Sequence, residues 1–238
     1  MIALSQISCG DCPIRHRAVC SRCDVDELAL LDRIKTYQSF RAGETILWAE
    51  EPMDFVASVV IGAATLSKTL EDGRRQMVGL LLPSDFIGRP HRPTSPLDVT
   101  AVADTMLCRF NRRDFETLIA EHPHISERLL DITMDELDAA RDWMVILGRK
   151  TAREKIASFL TILAQRQAAL AEHTATSVKF TLPITREAMA DYLGLTIETV
   201  SRQLTALRKA GLIEMQSLRG VLVPDLAALE AEAGDGTA

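Results

Sequence analysis

The spacing of apolar positions along the chain changes three times, and each change marks a different kind of element. In residues 24–35 the apolar side chains recur at helical spacing behind an acidic first turn of Asp24, Asp26 and Glu27, which predicts a short amphipathic helix. From Gln38 to about Phe110 the period shortens. Short apolar or alternating runs (Thr45–Trp48, Val56–Ile61, Met77–Leu82, Val99–Ala103, Met106–Phe110) are separated by turn signals at Ala42-Gly43, Glu71-Asp72-Gly73 and Arg89-Pro90. Strands at that spacing predict a β-barrel or sandwich. Helical period returns from near Ile125 to about Gly148, where Leu130, Leu137 and Met144 stand seven apart, with Thr133, Ala140 and Leu147 between them. About three heptads of that kind predict the seam of a paired helix, with Glu136 and Arg141 placed for an ion pair between parallel copies. A helix packed on its own domain is the alternative.

Beyond Lys150 the pattern is that of a compact helical domain. A helix over Ala152–Gln167 leads through the extended Phe180–Pro183 to two helices flanking Gly194. Ile213–Gln216 and Val221–Val223 then flank Leu218-Arg219-Gly220 as a hairpin wing, and the residues after Leu226 are expected to fray. The stretch from Thr185 to Leu204 meets the demands of a helix-turn-helix. Ala190 is small where the helices cross, Gly194 permits a left-handed turn, Val200 packs back into the angle, and Thr185 and Thr196 stand at the two N-caps. The first turn of the second helix is the part that enters a major groove. This makes Glu198, Ser201 and Arg202 the candidates for reading base edges, and Thr185, Thr199, Lys209 and Arg219 the candidates for phosphate. Gln203 stands where an apolar residue is expected beneath the recognition helix.

The net charge of −6 argues against a nucleic-acid partner only until it is divided. Residues 149–220 hold 11 Lys and Arg against 6 Asp and Glu, whereas the 148 residues before them are net −7. The basic surplus therefore coincides with the helix-turn-helix. No apolar run reaches the roughly 20 residues that span a bilayer, and the N-terminus does not have the form of a signal peptide, so a cytoplasmic protein without a membrane partner is expected. No Ser–His–Asp set, phosphate-cradling glycine loop or HExxH pattern is found, and no enzymatic activity is expected.

Four of the five cysteines lie within Cys9–Cys23, as Cys9-Gly10-Asp11-Cys12 followed by Cys20-Ser21-Arg22-Cys23. In a cytosolic chain such crowding points to a metal or redox site rather than to disulfides. Two readings remain open on the residues alone. Cys9, Cys12, Cys20 and Cys23 could hold structural Zn2+, or three of them could join the distant Cys108 around a cubane cluster. Cys108, in an apolar strand, reads equally well as a buried structural thiol. Arg15, Arg17 and Arg22 are expected to favour thiolates. A third reading, from another class, is a dithiol redox enzyme, which leaves the helix-turn-helix unexplained.

The Cys9–Cys12 pair, the third cysteine after seven intervening residues, the isolated Cys108 and Leu195-Thr196-Ile197-Glu198-Thr199-Val200-Ser201-Arg202 together resemble the fumarate and nitrate reductase regulator branch of the cyclic-AMP receptor superfamily, especially its FnrL-type members. The resemblance covers the whole chain. It implies a 4Fe-4S cluster on Cys9, Cys12, Cys20 and Cys108, with Cys23 as the alternative to Cys20. It further implies an oxygen-responsive homodimeric activator on double-stranded DNA, with Glu198, Ser201 and Arg202 reading a TTGAT-N4-ATCAA palindrome. It also implies contact of RNA polymerase with the Glu71-Asp72-Gly73 loop. Cyclic AMP is not expected, because Ser84–His91 has no Gly-Glu pair and no Arg-Ser or Arg-Thr pair follows it. The rival within this class is a zinc-stapled regulator with an unidentified small effector.

The fold expected is α+β. A cluster-binding segment (1–23) precedes a cyclic-nucleotide-binding-like β-barrel (24–124), a dimerisation helix (125–150) bearing Leu130, Leu137, Ala140, Met144 and Leu147, a winged helix-turn-helix (151–226) and a tail (227–238). Cluster binding is expected to bias the helix toward pairing, which sets two recognition helices about 34 Å apart, one turn of DNA.

Overall fold

The computed structural model describes residues 7–171 and 176–234. It divides into two compact units, Met1–Asp138 and Ala139–Ala238. In the first unit, a 3-10 turn at Val19–Arg22 leads to α1 (Val25–Ile34), whose start is set by a reciprocal capping box: the Asp24 carboxylate accepts from the Glu27 backbone N–H, and the Glu27 carboxylate accepts from that of Asp24. The chain then enters β1 (Lys35–Phe40), β2 (Thr45–Leu47), β3 (Phe55–Ile61), β4 (Ala64–Thr69), β5 (Arg75–Leu81), β6 (Phe86–Ile87), β7 (Asp98–Ala101) and β8 (Thr105–Asn111).

These strands form two four-stranded antiparallel sheets, in the orders β1-β8-β3-β6 and β2-β7-β4-β5. Their inner faces meet over Leu47, Met53, Phe55, Ala57, Val59, Ile87, Val99 and Leu107. The sequence pattern leaves out β1, β4 and β6: Lys35–Phe40 and Ala64–Thr69 are largely polar or small and give little alternation to read, and Phe86–Ile87 is only two residues long.

On β8, Leu107 is part of the inter-sheet core, so alternation turns Cys108 to the sheet's other face. The register sets Cys108 directly between Tyr37 on β1 and Ser58 on β3. Three side chains on neighbouring strands therefore stand in one row on that outer face.

After β8 come α2 (Arg112–Glu121) and the 27-residue α3 (Pro123–Arg149). One flank of the first half of α3 carries Arg128 and Asp131. Leu130, Met134 and Leu137 lie around a different side and are exposed.

The second unit contains α4 (Ala152–Leu170), β9 (Val178–Thr181), α5 (Arg186–Leu193), α6 (Ile197–Lys209), β10 (Glu214–Met215), β11 (Gly220–Val223) and α7 (Leu226–Glu232). The three strands form the wing sheet, in the order β10-β11-β9. In this unit Trp143 of α3 stacks on Tyr192 of α5, with ring centroids 4.0 Å apart, and ties the helix to the helix-turn-helix. The expectation of a frayed tail is corrected for the residues up to Gly234. Leu226–Glu232 is helical, capped by Asp225, with Leu229 and Ala233 fully buried and Glu232 paired with Arg153 of α4. Residues 235–238 lie outside the described residues.

Candidate functional site: a four-thiol cavity and a helix-turn-helix

Cys9, Cys12 and Cys20 close over the row on the outer face of β1-β8-β3 and, with Cys108, line one cavity. Its other walls are mostly apolar: Ile14, Val19, Leu31 and Phe110, with Tyr37 and Ser58. Cys23 is buried but is not part of that lining. Among the described residues, no three His, Cys, Asp or Glu side chains converge closely enough to share a single metal ion. The four thiols line the same cavity, and four thiolates are the usual donor set of an iron–sulfur cluster.

The segment is held in place by its backbone and by one carboxylate. Asp32 of α1 accepts from the Cys9 N–H at 2.8 Å and from Lys35 Nζ at 2.6 Å, while Lys35 also donates to the Ile7 carbonyl. Burial pushes the Cys9 thiol up to about 12 and Cys20 to about 11, and raises Cys12 and Cys108 as well. Without a cluster the site therefore holds protonated thiols, and loading it must displace protons.

The expectation that Arg15, Arg17 and Arg22 create thiolates is corrected on this point. Desolvation outweighs the cations, and Lys35 is the charge that opposes it at all four thiols; of the three arginines only Arg15 acts, by its charge on Cys20 and through its backbone N–H on Cys12. Arg22 donates instead to Asp131 of α3 at 2.6 Å. The Arg17 carbonyl accepts from Arg128 of α3, also at 2.6 Å. On α1, buried Glu27 joins His122 Nδ1 at 2.7 Å and His124 Nε2 at 2.9 Å, at the entry to α3. The cysteine segment and α1 are thus fastened to the flank of α3.

The α3 positions expected at a dimer seam are mostly open to solvent: Leu130 is 59 % exposed, Leu137 43 % and Met144 71 %, and Ala140 is exposed too. Leu147 is half-buried. Met134 and Val145, absent from the expected heptad, widen the apolar stripe. Glu136, expected to pair with Arg141 across copies, lies near Asp85 and Arg89 of its own barrel. Although Glu136 is exposed in the single chain, partial desolvation by its neighbours and the Asp85 charge raise its carboxyl.

In the second unit the helix-turn-helix has its predicted stops and starts. Thr185 Oγ1 accepts from the Ala188 N–H at 3.1 Å, and Thr196 Oγ1 accepts from the Thr199 N–H at 3.2 Å. Gly194 sits at φ 62°, ψ 44°, a left-handed conformation that costs a residue with a β-carbon about 1–2 kcal/mol. Ala190 and Val200 are buried in the angle. Glu198, Arg202, Lys209, Arg219 and Thr185 are exposed, Ser201 and Thr199 half-buried. The Glu198 carboxyl is held below its ordinary range by its own backbone N–H and by the Thr196 hydroxyl, so it stays an acceptor. Gln203 is half-buried, beside Leu204 and Leu207, which supply the apolar underside.

Sequence reasoning missed Ile197. It is 44 % exposed in the first turn of the recognition helix, an apolar surface suited to a thymine methyl. An apolar residue on an otherwise polar face was the available signal. Lys35, Tyr37 and Ser58 were missed because only strand register brings them to the cysteines.

Two family models match: the cyclic nucleotide-binding domain over residues 37–122 and the Crp-like helix-turn-helix domain over residues 154–232. The chain is 61 % identical over 228 residues to the transcriptional activator protein FnrL of Cereibacter sphaeroides, covering 95 % of this chain and 92 % of that one. It is 40 % identical to the nitrogen fixation regulation protein FixK of Bradyrhizobium diazoefficiens, covering 86 % and 85 %. Among solved structures it resembles FixK2 from Bradyrhizobium japonicum, with a TM-score of 0.74 at 34 % identity, covering 86 % of this chain and 99 % of that one. These relatives are regulators, which sets the dithiol-enzyme reading aside, and no described helix is long and apolar enough to cross a membrane. The α+β fold of a cyclic-nucleotide-binding-like β domain, a long helix and a C-terminal winged helix-turn-helix, together with this likeness, establishes that the chain belongs to the CRP/FNR family of transcriptional activators with a helix-turn-helix DNA-binding domain.

Proposed function

We propose that this activator is oxygen-responsive and works as a homodimer carrying a 4Fe-4S cluster on Cys9, Cys12, Cys20 and Cys108. The observation that carries the reading is the single cavity lined by those four thiols. Cys23 does not line that cavity, which favours Cys20 as the third ligand. When bound, the cluster supplies an oxygen-labile cross-link between the N-terminal segment and β8.

The chain's own residues transmit the state of that segment. Arg17 and Arg22 are held by Arg128 and Asp131, so the position of the cysteine loop is felt at the flank of α3. A different side of the helix offers Leu130, Met134 and Leu137 to a second copy. Glu198, Ser201 and Arg202, with Ile197, then read the half-sites of a TTGAT-N4-ATCAA-like palindrome, while Thr185, Thr199, Lys209 and Arg219 contact phosphate. The exposed Glu71-Asp72-Gly73 turn between β4 and β5 is the candidate contact for RNA polymerase. Cyclic AMP is not the effector in this reading.

The test is anaerobic purification, iron and acid-labile sulfide analysis, and visible spectra before and after air, with operator binding measured in the same samples. About four irons per chain, a brown colour that bleaches in air and concurrent loss of binding are expected. A colourless zinc protein whose DNA binding ignores air would overturn the proposal in favour of a zinc-stapled regulator with another effector.

A further inference from the structure

Ser58 is 3 % exposed, lines the four-thiol cavity and stands directly opposite Cys108 in the register of β3 with β8. Its Oγ is fully buried and has no hydrogen-bond partner among the described residues. A hydroxyl sealed in an apolar-walled cavity with no acceptor is costly. A valine or alanine, as in the neighbouring Ala57, Val59 and Val60, would satisfy the packing of β3 without that cost. An orphan donor facing four sulfurs has a natural acceptor once they carry negative charge.

Resting on the cluster reading above, we propose that Ser58 is a positioning residue for the cofactor: its Oγ–H donates a hydrogen bond to a sulfur of the loaded site, either the Cys108 thiolate or a sulfide facing it. Hydrogen bonds to sulfur are among the terms that set the redox properties of iron–sulfur clusters, and partners one step removed from the metal orient its ligands. Such a bond withdraws electron density from the site and makes oxidative loss of the cluster harder. Tyr37, on the other side of Cys108, does not fill the role, since its hydroxyl is directed to the Ile7 carbonyl at 3.4 Å.

The experiment compares the full-length chain, Ser58→Ala and, as a control for loss of a buried serine hydroxyl, Ser67→Ala on β4 in the other sheet. Each is reconstituted anaerobically. Iron and sulfide content is measured first, then Fe–S stretching frequencies by resonance Raman spectroscopy in H2O and D2O, then the rate of visible bleaching in air. Alanine leaves only a methyl-sized change on β3, so each variant should fold and load. The proposal expects Ser58→Ala to lose a D2O-sensitive Fe–S shift and to bleach about threefold faster or more, a modest share of what a hydrogen bond to a charged acceptor contributes, with Ser67→Ala like the parent. An unchanged isotope response and unchanged bleaching in Ser58→Ala overturn the role of Ser58 and leave the cluster reading standing. Failure of the parent chain to take up iron and sulfide overturns the cluster reading, and Ser58 with it.

Discussion

Replacing Leu130 by alanine removes an apolar group that the single chain leaves 59 % exposed on α3. If the stripe of Leu130, Met134 and Leu137 is where two copies meet, pairing buries that side chain. Fully burying a leucine contributes about 1.5–3 kcal/mol, so the exposed share contributes about 1–2 kcal/mol, most of which alanine forfeits. A two-fold interface carries the change twice, which makes the loss about 2–3 kcal/mol per dimer. The dimer dissociation constant should therefore rise roughly 30- to 150-fold. The helix itself should not suffer, because alanine has the higher helix propensity and the Leu130 side chain is more than half exposed. Sedimentation equilibrium over a range of anaerobic protein concentrations measures the constant, and far-ultraviolet circular dichroism checks the helix. A dissociation constant within about twofold of the parent's, with helix content intact, would refute the assignment of this face.

Cys20→Ser should abolish reconstitution with iron and sulfide while Cys23→Ser retains it, as read by iron content and visible absorbance; the reverse result would make Cys23 the third ligand. Arg202→Ala should weaken operator binding by about 1–3 kcal/mol and relax preference at one base pair, whereas Lys209→Ala should weaken all sequences alike and reduce the salt slope by about one. Titrations by fluorescence anisotropy at several salt concentrations separate the two. Burial alone would raise the Glu27 carboxyl, but the Asp24 N–H, His124 and His122 hold it below its ordinary value. A depressed folded value stabilises above the unfolded value near 4.3 and is lost as pH falls through the folded one. Urea unfolding between about pH 5 and pH 3 should therefore show a steeper acid loss of stability in the parent than in Glu27→Gln; parallel curves would contradict it.

The helix-turn-helix was legible because its determinants are local. Thr185 and Thr196 cap within three residues, Gly194 meets a backbone demand within one turn, and Ala190 and Val200 are four and six residues from that glycine. The wing and α1 follow from the same short-range chemistry. The sequence by itself thus determined the DNA-reading domain and, through resemblance, the family. It determined the cysteine site only as a set of candidates, since the residues alone leave Cys20 and Cys23 open and only the family resemblance prefers Cys20.

Tertiary structure decided the rest. Alternation puts Leu107 and Cys108 on opposite faces of β8, but nothing local says which face meets the other sheet and which meets the N-terminal segment. Pairing of β8 with β1 and β3, between residues tens of positions apart, selects Cys108 for the cavity and brings Tyr37 and Ser58 with it. The same holds for Leu226–Glu232, a segment too short to be helical alone, which is ordered by packing on α4. Caps and turns are set by neighbours in sequence; cavities and buried partners are set by register, which only the folded sheet supplies.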